Sequence, residues 1–229
     1  MADGFILGKE IIENKKDIEA FLIFNNLSNE EKKEKLKKID DIRKKLEKLH
    51  SKKKELKLTT KKKGDLLEDY ISLVLDLNNE LIEYSRNIRT SDNEIDFLVK
   101  LSTLGRIMRD KKIISEYIPD SFPFECKNYM EKLEITYVNK FHSMLTLKKY
   151  PIGVLVSYNG ITGDNTKAWQ ASLGLIKKIN LLSFHTTDFS LICYADKERL
   201  EYLEENEYNF FRWLDRLREE TKIDVFEGF

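Results

Sequence analysis

Apolar residues fall along this chain in two rhythms. Short runs or strict alternation mark Leu81 to Arg89, Glu94 to Leu101, the segment FPFECK from Phe122 to Lys127, Ile152 to Tyr158 and Phe189 to Ala195. Runs of this length, rich in β-branched and aromatic residues, predict strands. Between them the apolar positions recur at helical spacing. Leu67, Tyr70, Ile71, Val74 and Leu75 stripe a helix from Gly64 to about Asn78, and Leu133, Val138, Phe141 and Leu145 stripe another from Lys132 to Leu147. A further helix is expected to begin near Asn165 or Thr166, and one or two amphipathic helices fill Asp196 to Lys222. The pattern predicts an α/β domain, a mixed sheet of four or five strands flanked by helices.

The first sixty residues read differently, as helix throughout. Lys9 to Asn25 carries Ile11, Ile12, Ile18, Phe21 and Leu22, and a second helix is expected from Ser28, with Glu31 completing a capping box. Ile39, Ile42, Leu46, Leu49 and Leu56 then form a narrow heptad-like seam. That seam suits either a hairpin packed on Lys9 to Asn25 or a short coiled coil between two subunits of a homodimer. The division predicted is a lysine-rich helical extension over 1–60 and a domain over 61–229.

Charge sharpens that division. The chain is neutral overall, which argues against a uniformly basic nucleic-acid binder. Yet Ser28 to Lys63 holds sixteen Lys or Arg against seven Asp or Glu, and residues 64–229 hold twenty-one against twenty-eight. The two cysteines, Cys126 and Cys193, sit in apolar strand-like sequence and read as reduced core residues of a cytoplasmic protein. No run reaches membrane-spanning length and no signal-peptide pattern opens the chain, so no membrane association is expected. His50, His142 and His185 are scattered, which gives no case for zinc.

The chemistry is concentrated at two strands. Alternation sends Ile95, Phe97 and Val99 to one face and Asp96 to the other; it likewise groups Phe122, Phe124 and Cys126 and leaves Glu125 and Lys127 side by side. If the strands pair, Asp96 and Glu125 can share a Mg²⁺ ion, with Mn²⁺ as a substitute, because a hard cation prefers carboxylate oxygens. Lys127 would then orient a water or stabilise charge during attack on phosphorus. Glu-x-Lys recurs elsewhere, as at Glu30/Lys32 and Glu220/Lys222, but only the Glu125 copy follows an aromatic strand. The alternative is a surface ion pair on an edge strand.

With Glu68 in KGDLLEDYISLVL, Asp96 in SDNEIDFLV, and Glu125 and Lys127 in PFECKN, the chain resembles the PD-(D/E)xK nucleases. Within them it is most similar to the restriction-endonuclease-like group typified by Mrr-type enzymes and archaeal Holliday-junction resolvases. The resemblance covers about residues 61–180; GVLVSYNG and NTKAWQASLGLIKK match the strand and helix after the core motif. It implies catalytic roles for Asp96, Glu125, Lys127 and Glu68. The metal would be held by Asp96, Glu125, the Cys126 backbone carbonyl and, as a further candidate, Glu68. A polar insertion from Gly105 to Ser121 departs from the pattern. Glu68 also has a plainer reading, favouring its helix N-terminus through the dipole.

The substrate implied is DNA, with RNA open. Lys61, Lys62 and Lys63, expected just before the Glu68 helix, together with Arg86, Arg89 and Lys140, are the candidate phosphate contacts. Pairing of Arg86 and Arg89 with Asp92 or Glu94 is the competing reading. The function expected is a Mg²⁺-dependent endodeoxyribonuclease in restriction or antiviral defence, with an activating or specificity partner. A structure-selective nuclease, and an inactive nuclease fold that binds partners through the N-terminal helices, are the alternatives.

Overall fold

The computed structural model describes residues 29–51, 58–89, 94–163, 171–185 and 190–226. Its elements are α1 (Asn29–His50), α2 (Thr60–Asp76), β1 (Ile82–Arg89), β2 (Glu94–Leu101), α3 (Thr103–Asp110), β3 (Ser121–Lys127), α4 (Ile135–Lys148), β4 (Ile152–Ser157), α5 (Ala171–His185), β5 (Leu191–Ala195), α6 (Lys197–Glu205) and α7 (Phe210–Phe226). Five strands lie in sequence order in one sheet. β1, β2 and β3 pair antiparallel, while β3, β4 and β5 run parallel. The expected mixed sheet flanked by helices is therefore present. Among the described residues no helix is long and apolar enough to cross a membrane.

Strand alternation divides the core between two faces. Phe97, Val99, Phe122, Phe124, Val154 and Cys193 meet the stripe of α2 and the Phe210, Trp213 and Leu214 face of α7. Phe124 stacks on Trp213 with centroids 6.3 Å apart, and Phe210 lies 6.0 Å from Phe124. Leu155 and Ile192 meet Val138, Phe141 and Leu145 of α4 and Ile176 and Ile179 of α5. Gly153 lets α4 approach β4, since a Cβ there would come within 2.5 to 2.9 Å of Leu145 and Phe141 side-chain atoms. On the same side, fully buried Asn180 of α5 donates to the Ile192 carbonyl and accepts from its N–H, both at 2.8 Å. Both halves of that amide are satisfied, as burial requires.

Three details differ from the sequence expectations. α2 starts at Thr60, because the Thr59 hydroxyl caps it by accepting from the Lys62 N–H at 3.4 Å. Lys61 to Lys63 accordingly form its first turn instead of preceding it. The segment from Gly105 to Ser121 does not separate β2 from β3: it holds most of α3, capped by Ser102, and returns through buried Ile113, Ile114 and Ile118. Its end is tied to β2 by the Leu101 N–H donating to the Asp120 carbonyl at 2.9 Å.

The third concerns the seam of α1. Ile39 and Leu46 are buried in the main core with α2, and Leu49 is buried beside them. Lys35 Nζ donates to the Asp76 carbonyl at 3.1 Å, and Arg43 Nε lies 3.4 Å from Glu204 of α6. The seam thus faces the sheet domain. Lys9 to Asn25, the Ser28 cap, Leu56, the predicted Asp92 turn and the start expected for α5 at Asn165 or Thr166 lie outside the described residues.

Candidate active site

β2 and β3 pair from Lys100–Ser121 to Phe97–Phe124, and there the ladder stops. Beyond that point β3 continues along β4, with Glu125 opposite Leu155 and Lys127 opposite Ser157, while β2 continues along β1, with Ile95 opposite Ile88. The two strands therefore diverge into a fork. Asn87 of β1, between the pairs Arg86–Phe97 and Ile88–Ile95, has a left-handed backbone with φ of 51°, a conformation asparagine tolerates better than most residues. Alternation breaks at the same level of β2. Ile95 joins the α4/α5 cluster while Phe97 and Val99 face α2 and α7, so the three do not share a face as expected.

The fork contains Asp96, Glu125 and Lys127. Asp96, 8% exposed, accepts through Oδ2 from the Cys126 N–H at 2.7 Å and lies 3.4 Å from Lys127 Nζ. Lys127 Nζ is also 2.5 Å from Glu125 Oε1. Two carboxylates thus reach one ammonium. In an extended strand the N–H and C=O of a residue point to the same side, so the Cys126 carbonyl is directed toward the same gap as its N–H.

Burial and crowding of like charge set the protonation. Glu125 is pushed up to about 7, first by burial and then by Asp96, against the pull of Lys127. Burial acts to lower Lys127, but Glu125 and Asp96 outweigh it and hold the ammonium above the usual lysine range. Lys127 is therefore a fixed proton donor and positive charge, unsuited to act as a base near neutrality. Glu68 on α2 is raised by burial and by Asp96, with Arg86 opposing. Its carboxylate lies 3.4 Å from Arg86.

This donor set suits a hard divalent cation in type: two carboxylates and a backbone carbonyl around a point already held by a positive charge. Among the described residues no group of three His, Cys, Asp or Glu side chains is gathered to hold a metal. Side-chain ligation would rest on Asp96 and Glu125, which share the Lys127 ammonium, while Glu68 pairs with Arg86 instead.

The predicted phosphate contacts separate into three groups. Lys140 of α4 lines a cleft with Glu94, Glu125, Lys127, Tyr137 and Phe141, and so stands at the site. Lys61 and Lys62 are exposed on the first turn of α2, whereas Lys63 is half-buried and its carbonyl accepts from Asn128 at 2.5 Å. Arg86 and Arg89 are already paired. Arg86 bonds Asp69 at 3.1 Å as well as Glu68, lies 5.3 Å from the Phe97 centroid, and has a buried Nε without a partner. Arg89 is 3.6 Å from Glu94.

Sequence reasoning passed over Tyr137 and Phe141 as cleft walls, although Tyr137, Lys140, Phe141 and Met144 follow the spacing of one helix face. It also passed over Asn128, immediately after Lys127. Asn128 Oδ1 is 2.6 Å from His50 Nε2, and Asn159 Nδ2 is 2.8 Å from His50 Nδ1. No family model, curated protein or solved structure matches the chain.

Proposed function

We propose that this chain is a metal-dependent endonuclease of the restriction-endonuclease-like PD-(D/E)xK kind, hydrolysing phosphodiester bonds in DNA. The observation that supports this most is the fork, where the Asp96 and Glu125 carboxylates lie 3.4 and 2.5 Å from one Lys127 ammonium at a point where the sheet opens. Hydrophobic packing gives no reason to place three charges there. The net acidity of the site favours a divalent cation, and a phosphodiester requires cationic help to accept a nucleophile.

Mg²⁺, held by Asp96, Glu125 and the Cys126 carbonyl, would supply Lewis acidity to the phosphoryl oxygen and lower the pKa of the attacking water. The protein groups do the rest. The Cys126 N–H fixes the Asp96 carboxylate, so its orientation is set before substrate arrives. Lys127, kept protonated, hydrogen-bonds the attacking water and neutralises charge developing on the phosphorane oxygens. Arg86 holds Glu68 at the edge of the fork, where its carboxylate adds negative potential.

The test is cleavage of supercoiled plasmid in Mg²⁺ or Mn²⁺, with EDTA as control, by the wild type, Asp96→Ala and Lys127→Ala. Metal-dependent nicking by the wild type alone, with both variants folded by circular dichroism, supports the assignment. Equal cutting by all three defeats it.

A further inference from the structure

The cleft beside the fork encloses about 230 Å³, less than the ~300–1,000 Å³ typical of pockets for drug-sized ligands. Its charges cancel: Glu94 and Glu125 stand against Lys127 and Lys140. A cleft built only to follow a phosphate backbone would carry a positive excess. What this one adds is apolar surface, from Tyr137 together with Phe141 and Met144, which are 3% and 4% exposed. Tyr137 is half-buried and braced by Tyr129, with ring centroids 5.2 Å apart at 46°. That contact constrains the Tyr137 ring. Lys140 is exposed, with Nζ 5.9 Å from the Tyr137 centroid, near the outer limit of a cation–π contact. Its ammonium is thus open to a neighbouring phosphate.

A packed aromatic ring beside an exposed ammonium and the proposed phosphodiester-cleaving centre matches the needs of an unpaired nucleotide. We propose that this cleft receives one unpaired base, stacked on Tyr137, with the adjoining phosphate drawn to Lys140, so that the preferred substrate is single-stranded or locally opened DNA. The proposal rests on the nuclease reading above and names its substrate class. A duplex offers base edges and backbone to a protein, and its ring faces are closed by stacking. Only a strand already open, or a base turned out of the stack, can fill the space.

Equilibrium binding in EDTA tests this with the intact protein and without turnover. Anisotropy is read for a labelled twelve-nucleotide oligo-dT, for its duplex, and for oligo-dT carrying abasic sites. The wild type is expected to bind the single strand more tightly than the duplex. Tyr137→Ala should weaken single-strand binding roughly 5- to 150-fold, the equivalent of one base stack, and leave duplex binding unchanged. Tyr137→Trp should retain it, and abasic sites should reproduce the loss in the wild type. Equal binding by the wild type and Tyr137→Ala, both folded, overturns the inference, as does tighter binding of the duplex or no binding of either. Single-strand binding that depends on Tyr137, with no Mg²⁺- or Mn²⁺-dependent cleavage of either the plasmid or the single strand, would instead defeat the nuclease reading and leave the base site standing.

Discussion

β3 ends in two contacts of opposite character, one residue apart. At Glu125 and Lys127 the contacts are charged, and four carboxylates, those of Glu68, Asp69, Asp96 and Glu125, share the cations of Lys127 and Arg86. At Asn128 they are neutral. Asn128 Nδ2 donates to the Lys63 carbonyl, which turns Oδ1 toward His50, so His50 carries its proton on Nε2 and donates it there. Nδ1 of the same ring accepts from Asn159, and the ring stacks on Tyr158 with centroids 4.6 Å apart. The first contact leaves a carboxylate, Glu125, raised by burial and then by the charge of Asp96. The second leaves each ring nitrogen matched. Unbalanced charge is useful for attracting a cation and a phosphate, but it pushes its own parts apart. The neutral clip ties α1 and α2 to the ends of β3 and β4 beside the fork.

The largest separation between the two should come from Lys127. Lys127→Ala is expected to lower the cleavage rate about 10²- to 10⁴-fold, the range for loss of one positioned proton-transfer or charge-stabilising group, without abolishing folding. Asn128→Ala should do the reverse. It strips partners from the His50 ring and the Lys63 carbonyl and should cost about 1–3 kcal/mol, read as a lower urea midpoint, with a rate loss well short of that for Lys127→Ala. If Asn128→Ala cut turnover as deeply as Lys127→Ala at an unchanged midpoint, the division between chemistry and anchoring would be wrong.

Between these lies a test of what the clip secures. Leu46 on α1 is 1% exposed within the main core, and Leu46→Ala should cost about 2–5 kcal/mol in a single unfolding transition. Loss of α1 in a separate early step, leaving the sheet folded, would make it an appendage.

α1 also shows where the sequence was readable. Its seam was visible as Ile39, Ile42 and Leu46, because burial leaves a helical period. Its partner was not, because a seam of that width fits a second helix, a second subunit or α2 equally well. The fork divides in the same way. Alternation placed Glu125 beside Lys127 and opposed Asp96 to Phe97, and the side chains of all three charged residues do converge. Alternation could not reveal that β2 and β3 part at Phe97–Phe124, nor that Ile95 changes sides, since both depend on pairing with neighbouring strands. Arg86 looked like a phosphate contact because Glu68 and Asp69, its partners, lie seventeen or eighteen residues away on another element. The clip left no signal at all. Residues 50, 128 and 159 are ordinary surface types, and only the fold brings them together.

The smallest expected effect is the most specific to the clip. Burial holds the His50 imidazolium below its usual value near 6.5, Asn128 opposes this in part, and Lys63 adds to it. The geometry gives the reason: a proton on Nδ1 would face the Asn159 amide N–H, donor against donor. As pH falls through about 6.5 the unfolded chain takes up a proton that folded His50 resists, so the unfolded state gains. The clip's stability is therefore complete above that pH, declines as pH drops toward the folded value, and changes no further below it. His142 is also lowered by burial and contributes a slope of the same sign. The measurement is therefore a difference: urea unfolding of the wild type and His50→Gln across this range, with His142→Gln as the parallel control. His50→Gln should be less stable than the wild type at neutral pH, and the gap should narrow on acidification. A gap that stayed constant with pH would show that His50 acts only by packing against Tyr158, and that the clip is no more sensitive to protons than any other buried contact.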